Sequence, residues 1–227
     1  MKSVVCFFFV ATFFSACSSS TTEQAATTED TVAMTSQPVA QAEWEPLFNH
    51  ENLDGWETMP GGEWTVEDGM IVGTSPASDE RHGILITQQE YDDFKLRVVY
   101  QANQGNSGLY FRAEKVGEPY NVAGFQAEID PEKDAGGLYE TSGRAWVVQP
   151  SPEDVKSWYK PGEWNEMVVV AKGKDVAVYV NGQQSAKVTD DPGREKGYIG
   201  VQLHGGQDMD VRFKDIEIME NPTSLEL

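Results

Sequence analysis

The stretch Gly124–Asp130, G-F-Q-A-E-I-D, sets an amide and two carboxylates on one side of an extended chain. Successive side chains of a strand point to opposite faces. Phe125, Ala127 and Ile129 therefore share one face, and Gln126, Glu128 and Asp130 share the other. Such a row is either the solvated side of an antiparallel strand or the floor of a binding cleft. In a cleft it offers a proton carrier and hydrogen-bond partners for hydroxyl groups. Glu128 and Asp130 also offer oxygen ligands to a divalent cation such as Ca²⁺.

Three other segments divide in the same way. Ser107–Arg112 leaves Tyr110 and Arg112 opposite Leu109 and Phe111. Tyr198–His204 leaves Gln202 and His204 opposite Ile199, Val201 and Leu203, and in Gly143–Val148 the side chains of Arg144 and Trp146 share a side. Ordinary solvent faces carry Lys, Thr, Ser and Glu. These carry Arg, Gln, His, Tyr and Trp, which is the inventory of a sugar site: planar multidonor groups for hydroxyls and aromatic faces for pyranose C–H groups. The expectation is that these faces line one hollow.

The elements that must position them are strands. Glu63–Glu67 and Met70–Gly73 flank Asp68-Gly69, and Lys174–Val180 and Gln183–Val188 flank Asn181-Gly182, both two-residue hairpin signals. Gly83–Thr87, Phe94–Gln101 and Trp164–Ala171 read as further strands. In Val211–Met219 the alternation shifts after Phe213, which predicts a bulge near Lys214-Asp215. Helix signals concentrate in Ser151–Trp158, with Ser151 to cap, Pro152 at the first turn and Glu153 and Asp154 at the positive end of the dipole. About a dozen strands with so little helix predict an all-β fold, an antiparallel two-sheet β-sandwich.

The chain has 227 residues and a net charge of −20, which repels nucleic acid and anionic membrane surfaces. Met1–Ala16 reads as a signal peptide, with Lys2 ahead of an apolar run too short to span a bilayer comfortably. Phe14-Ser15-Ala16-Cys17 resembles a bacterial lipobox, so Cys17 is the expected lipidation site of an exported, membrane-anchored protein. Cys6 leaves with the signal, so the mature domain would have no thiol for a disulfide, zinc site or nucleophile. Residues 17–42 are polar and lack aromatic residues, the composition of a flexible tether. One domain is expected over residues 43–221, with a tail over 222–227.

S-G-L-Y-F-R at Ser107–Arg112, G-F-Q-A-E-I-D at Gly124–Asp130, G-G-L-Y-E at Gly136–Glu140, V-N-G at Val180–Gly182 and G-V-Q-L-H-G at Gly200–Gly205 fall in an order and spacing that resembles the bacterial 3-keto-disaccharide hydrolase family. Leu47–Trp56, Trp164-Asn165 and Val211–Ile216 extend the likeness. The resemblance implies a concanavalin-like jelly roll that cleaves glycosides oxidised at C3. Many members carry G-Y-E-x-Q where this chain has Gly124–Glu128, so the carboxylate and amide have traded places.

A 3-keto group acidifies the proton on C2, and its removal allows the C1 oxygen to leave. That chemistry asks for a base, a partner for the enolate oxygen and help for the leaving group. The expected roles are Glu128 as base, Arg112 and His204 on the enolate, and Tyr139 or Asp130 at the leaving group. Gln126, Arg144, Trp146, Tyr110 and Gln202 would hold the carbohydrate. Two other readings stay open. Glu128-Ile129-Asp130-Pro131-Glu132 resembles the E-x-D-x-E line of retaining laminarinase-type glucanases, although Pro131 sits badly in a ladder. The same fold without chemistry would be a carbohydrate-binding module.

Overall fold

The computed structural model describes residues 43–117 and 121–227. The expected signal peptide, tether and Cys17 lie outside them. Among the described residues the chain runs β1 (Glu45–Pro46), β2 (Trp56–Met59), β3 (Glu63–Glu67), β4 (Met70–Ser75), β5 (Gly83–Tyr91), β6 (Phe94–Gln104), β7 (Ser107–Lys115) and β8 (Val122–Ile129). It continues through β9 (Leu138–Thr141), β10 (Ala145–Val148), α1 (Pro152–Trp158), β11 (Asn165–Lys172), β12 (Asp175–Val180), β13 (Gln183–Val188), β14 (Gly197–Leu203) and β15 (Met209–Glu220).

These strands form two antiparallel sheets. One has the order β13-β12-β11-β6-β15-β4-β3, with β1 added beside β15; the other has the order β10-β9-β8-β7-β14-β5-β2. Local sequence accounts for the turns. Asp68 and Gly69 have φ of 51° and 75°, and Asn181 and Gly182 have 49° and 80°, the left-handed pair that a tight hairpin requires. Ser151 caps α1 in a reciprocal box with Asp154. The bulge expected near Lys214-Asp215 falls between Phe213 and Asp215.

Register in the seven-stranded sheet separates core from cleft. Leu138, Ala127, Leu109, Val201 and Leu85 stand side by side across β9, β8, β7, β14 and β5. All five are fully buried in the core between the sheets, where Phe111 stacks on Phe125 at 5.4 Å. The neighbouring row, Trp146, Tyr139, Gln126, Tyr110, Gly200 and Ile86, faces the other way. One end of this second face is also apolar, where Ile84, Ile86, Tyr110, Ala113 and Val122 pack together. That explains why β5 reads as an unbroken apolar run rather than an alternating one: its start is covered on both sides.

On the other sheet, Tyr179, Val168, Val170 and Ala177 pack with Trp44 and Leu225. The C-terminal residues 222–227 lie along this surface, with Lys172 Nζ donating to the carbonyls of Pro222 and Thr223 and Tyr179 Oη to that of Leu225.

Arg112 departs from the sequence expectation. The ladder of β7 slips between Phe111 and Glu114, and Arg112 takes a φ of 49°. A bulge re-aims the side chain it carries, so Arg112 does not share a face with Tyr110. Its guanidinium is 1% exposed and donates to the carbonyls of Asp92, Gly173 and Arg194 and to the carboxylate of Asp93. Asp93 also accepts from the Gly173 amide. One cation thus ties the β5–β6 turn, the β11–β12 turn and the segment before β14, joining both sheets at one end. Truncating a buried, fully bonded ion strands its partners. Arg112→Ala should therefore lower the unfolding free energy by about 3 kcal/mol, measured by urea denaturation; an unchanged midpoint would show that the sheet ends are held by something else.

Candidate active site

A cleft of about 590 Å³ lies over the polar face of β9, β8, β7 and β14, within the size range of ligand sites. Its floor begins with a closed ring of hydrogen bonds. Thr141 Oγ1 donates to Gln126 Oε1 at 3.1 Å, and Gln126 Nε2 donates to Gln202 Oε1 at 3.2 Å. Gln202 Nε2 donates to Tyr110 Oη at 3.0 Å, and the phenol closes the circuit to Thr141 Oγ1 at 3.1 Å. All four side chains are buried, and the ring gives each a donor and an acceptor role. Burial pushes the Tyr110 phenol's pKa well up, so it stays protonated and can donate. Gly108 makes the arrangement possible: a Cβ there would lie 2.1 Å from Gln126 Nε2. The amide lies down over β7 in the space a side chain would take.

Glu128 sits beside the ring, opposite Gly108 in register and 7% exposed. Burial raises its carboxyl pKa to about 8, against a hydrogen bond with Asn106 that favours the ionised form; the charges of Asp130 and Asp134 push the same way as burial. A carboxyl in such a setting is a proton carrier matched to neutral or mildly alkaline pH.

Two imidazoles form another part of the wall. His82 and His204 meet edge to face at 4.5 Å. His204 Nδ1 lies 2.8 Å from the Gly205 carbonyl, an acceptor only, which assigns the proton to Nδ1 and leaves the lone pair on Nε2 of the neutral ring. Burial, with the neighbouring His204, holds the pKa of His82 below the usual imidazole value. Tyr139 and Trp146, paired across β9 and β10, meet at 87° and 5.2 Å and supply aromatic faces. The β9–β10 turn, with Ser142 at φ 58°, completes the rim.

The cleft thus brings together Glu128, His204, Tyr139, Gln126, Trp146, Tyr110 and Gln202. It does not bring in the other three expected residues. Arg112 is in the sheet-end cluster described above. Arg144 folds back from the β9–β10 turn to chelate Asp191 at 3.0 and 2.8 Å and to pair with Glu140, so its guanidinium braces the rim from outside. Asp130 lies past the end of β8, where Oδ1 accepts from the amides of Glu132 and Lys133. That turn also removes the line of three carboxylates required by the glucanase reading, because period-2 alignment ends with the strand at Ile129. No group of three or more His, Cys, Asp or Glu side chains suited to a metal converges among the described residues, and Glu128 and Asp130 line different concavities.

His82, Asn106 and Thr141 were missed. The first two come from connecting segments, where no alternation marks a face, and Thr141 ends a strand too short to show one. Asn106 directly precedes Ser107, the first residue of β7.

An antiparallel sandwich of this order has a jelly-roll, galectin-like fold, and the family whose profile it matches makes its function carbohydrate-related. The chain is a member of the 3-keto-alpha-glucoside-1,2-lyase-like domain family, whose profile matches residues 43–219. No curated protein sequence matches it. Among solved structures it is similar to a proposed glycosyl hydrolase from Parabacteroides distasonis, at 24% identity and a TM-score of 0.58 over 79% of this chain and all of that one. A carbohydrate-binding module from Bacillus subtilis aligns at 18% identity and a TM-score of 0.55, over 73% of this chain and 96% of that one. A protein with a galectin-like fold, also from Bacillus subtilis, aligns at 15% and 0.57, over 78% and 94%. At these identities the structural likeness concerns the fold.

The raised pKa has a measurable cost. Between about pH 4.5 and 8 the native Glu128 keeps its proton while the unfolded chain has lost it. The native state then binds more protons, so stability falls as pH rises through this window and levels off above it. Glu128→Gln, which carries no charge to bury, should raise Tm relative to the parent by roughly 10–20 °C at pH 8.5, with the gain vanishing near pH 4. Thermal melts across this range would show it; a gain independent of pH would remove the buried ionisation.

Proposed function

We propose that this protein cleaves 3-keto-glycosides by elimination across C1 and C2. The observation that carries the reading is a nearly buried carboxyl, Glu128, with a pKa of about 8, in a polar, aromatic-walled cleft of sugar size. The ionised carboxylate takes the C2 proton, and the C–H electron pair becomes an enolate with its charge on the C3 oxygen. Reforming the C3 carbonyl makes the C1–C2 double bond and expels the glycosidic oxygen with its bonding pair. That oxygen takes a proton from a cleft donor, for which the Tyr139 hydroxyl is the candidate. Addition of water across the double bond completes a net hydrolysis; without it the reaction is that of a lyase.

His204 is the candidate partner of the enolate oxygen, its ring oriented by the Nδ1–H contact to the Gly205 carbonyl. The ring spends one N–H of Gln126 and one of Gln202 on itself, and the second N–H of Gln202 faces His82 Nδ1 at 3.5 Å, so Gln126 holds the fixed donor that the ring leaves for a substrate. Trp146 and Tyr139 offer faces to the pyranose. Export and lipid anchoring through Cys17 belong to the same proposal.

The aromatic wall would equally serve a binding module, so turnover is the deciding measurement. Wild-type protein should release product from a 3-keto-disaccharide and leave the parent disaccharide intact. Glu128→Gln should reduce kcat by at least about 10³-fold while preserving sugar binding. Because the base must be ionised, kcat/KM should rise with pH through a midpoint near 8. A profile falling through that midpoint would instead make Glu128 the acid and pass the base role to the Nε2 lone pair of His204. Binding without turnover of either sugar would leave a binding module.

A further inference from the structure

The Asn106 side chain hydrogen-bonds the carboxyl of Glu128. Asn106 stands in the β6–β7 turn, outside any ladder, and a turn residue keeps a side chain in place only if something keeps the turn in place. Residues 204–210, which leave β14 and enter β15, do so. The Asn106 backbone amide donates to Gln207 Oε1 at 3.0 Å, and Asn103 Nδ2 donates to Asp210 Oδ1 at 3.2 Å. Gly105, at φ 80°, is pressed against the Met209 side chain and the Asp208 carbonyl too closely to admit a Cβ. The stretch is itself fastened to the β4–β5 connection. Asp208 Oδ1 accepts from the Ala77 amide at 2.9 Å, and the Gly206 amide donates to the Asp79 carbonyl at 2.8 Å. Gln207 thus reaches from an anchored segment to the residue that touches the reacting carboxyl. It is half-buried and lies outside the main cleft, on the concavity that holds Asp130.

We infer that Gln207 is a positioning residue for Glu128: its Oε1 fixes the Asn106 amide and so keeps the Asn106 side chain on the carboxylate. Asn106 donates from its amide nitrogen, and a donor on a carboxylate favours the ionised form. The other neighbours give Glu128 little such help. Asp130 and Asp134, from the segment after β8, repel its charge. Gly108, opposite it on β7, has no side chain to offer, and Tyr110 spends its hydroxyl in the ring. Glu140 of β9 lines the same cleft and is paired with Arg144. His82 and His204 line it as well, and no Lys or Arg side chain does so among the described residues. The ionised carboxylate therefore depends on a neutral donor whose aim is set from the β14–β15 connection, not from the strand that carries Glu128. Without the Gln207 oxygen the Asn106 amide loses its acceptor, the turn loses a fastening, and the carboxylate is left buried with a looser donor. The consequence for turnover rests on the proposed role of Glu128 as base; the consequence for its ionisation does not.

The test follows the Glu128 carboxyl of the full chain by ¹³C NMR with carboxyl-labelled glutamate, its signal assigned by its loss in Glu128→Gln. Gln207→Met removes the acceptor at similar side-chain length. Its titration midpoint should rise from about 8 by roughly half a unit, and that of Asn106→Ala by about one unit. The double variant should rise no further than Asn106→Ala alone, because Gln207 acts through Asn106. At pH 7, kcat/KM for a 3-keto-disaccharide should fall about threefold in Gln207→Met and about tenfold in Asn106→Ala. In Gln207→Met it should return to within about twofold of wild type at pH 10, where the carboxyl is ionised in both. A loss of the same size at every pH, as a merely structural role would give, overturns the inference. So does an unmoved or lowered midpoint in Gln207→Met, or a further rise when that change is added to Asn106→Ala. The titration needs no turnover, so it decides the positioning role even if Glu128→Gln stays active and the base assignment fails.

Discussion

The polar side chains at the floor of the cleft are buried, and each must find a partner or carry the cost of having none. Tyr110, Thr141, Gln126 and Gln202 meet this demand by closing a circuit among themselves. Such a ring cannot lose one member without stranding two others, so it holds the strands' second face in a single arrangement. Glu128 lies just outside the circuit, with Asn106 against it, and bears the electrostatic consequence of burial. Glu128 is the carboxyl of this face whose ionisation burial opposes, and it is the group that the proposed chemistry uses.

The cations serve elsewhere. In a chain with 17 Lys and Arg against 37 Asp and Glu, a buried guanidinium is surrounded by acceptors. Arg112 gathers three backbone carbonyls and one carboxylate at the end of the sandwich. Arg144 locks the β9–β10 turn to Asp191 with a two-pronged contact and to Glu140 beside it. Both are structural clamps whose geometry indirectly shapes the cleft, the first by fixing where the sheets meet and the second by fixing the rim. Donors for a substrate are left to amides, imidazoles and a phenol, which desolvate at lower cost than a charge.

The two concavities also divide by chemistry, along a line marked by Asn106. Aromatic surface collects on the β9–β10 side because Tyr139 and Trp146 are direct cross-strand partners. Charged groups collect past the end of β8 because Pro131 and the turn after it take the chain out of the ladder.

Much of this protein is written in local pattern. Alternation in Gly124–Asp130 and Tyr198–His204 assigned Gln126, Glu128 and Gln202 to one face and their apolar neighbours to the core, because a strand's period of two leaves no other choice. The paired turns at Asp68-Gly69 and Asn181-Gly182, the cap at Ser151 and the bulge after Phe213 are equally local. What only the tertiary structure decided was where alternation stops and who arrives from outside it. A one-residue slip in β7 turned Arg112 out of the cleft, the end of β8 turned Asp130 away, and a pair of carboxylate partners drew Arg144 back. His82 and Asn106 reached the site through connecting segments whose direction is set by the packing of distant strands. Periodicity encodes the face of a residue within its own strand; the neighbours of that face depend on strand order and turn geometry, which are properties of the whole chain.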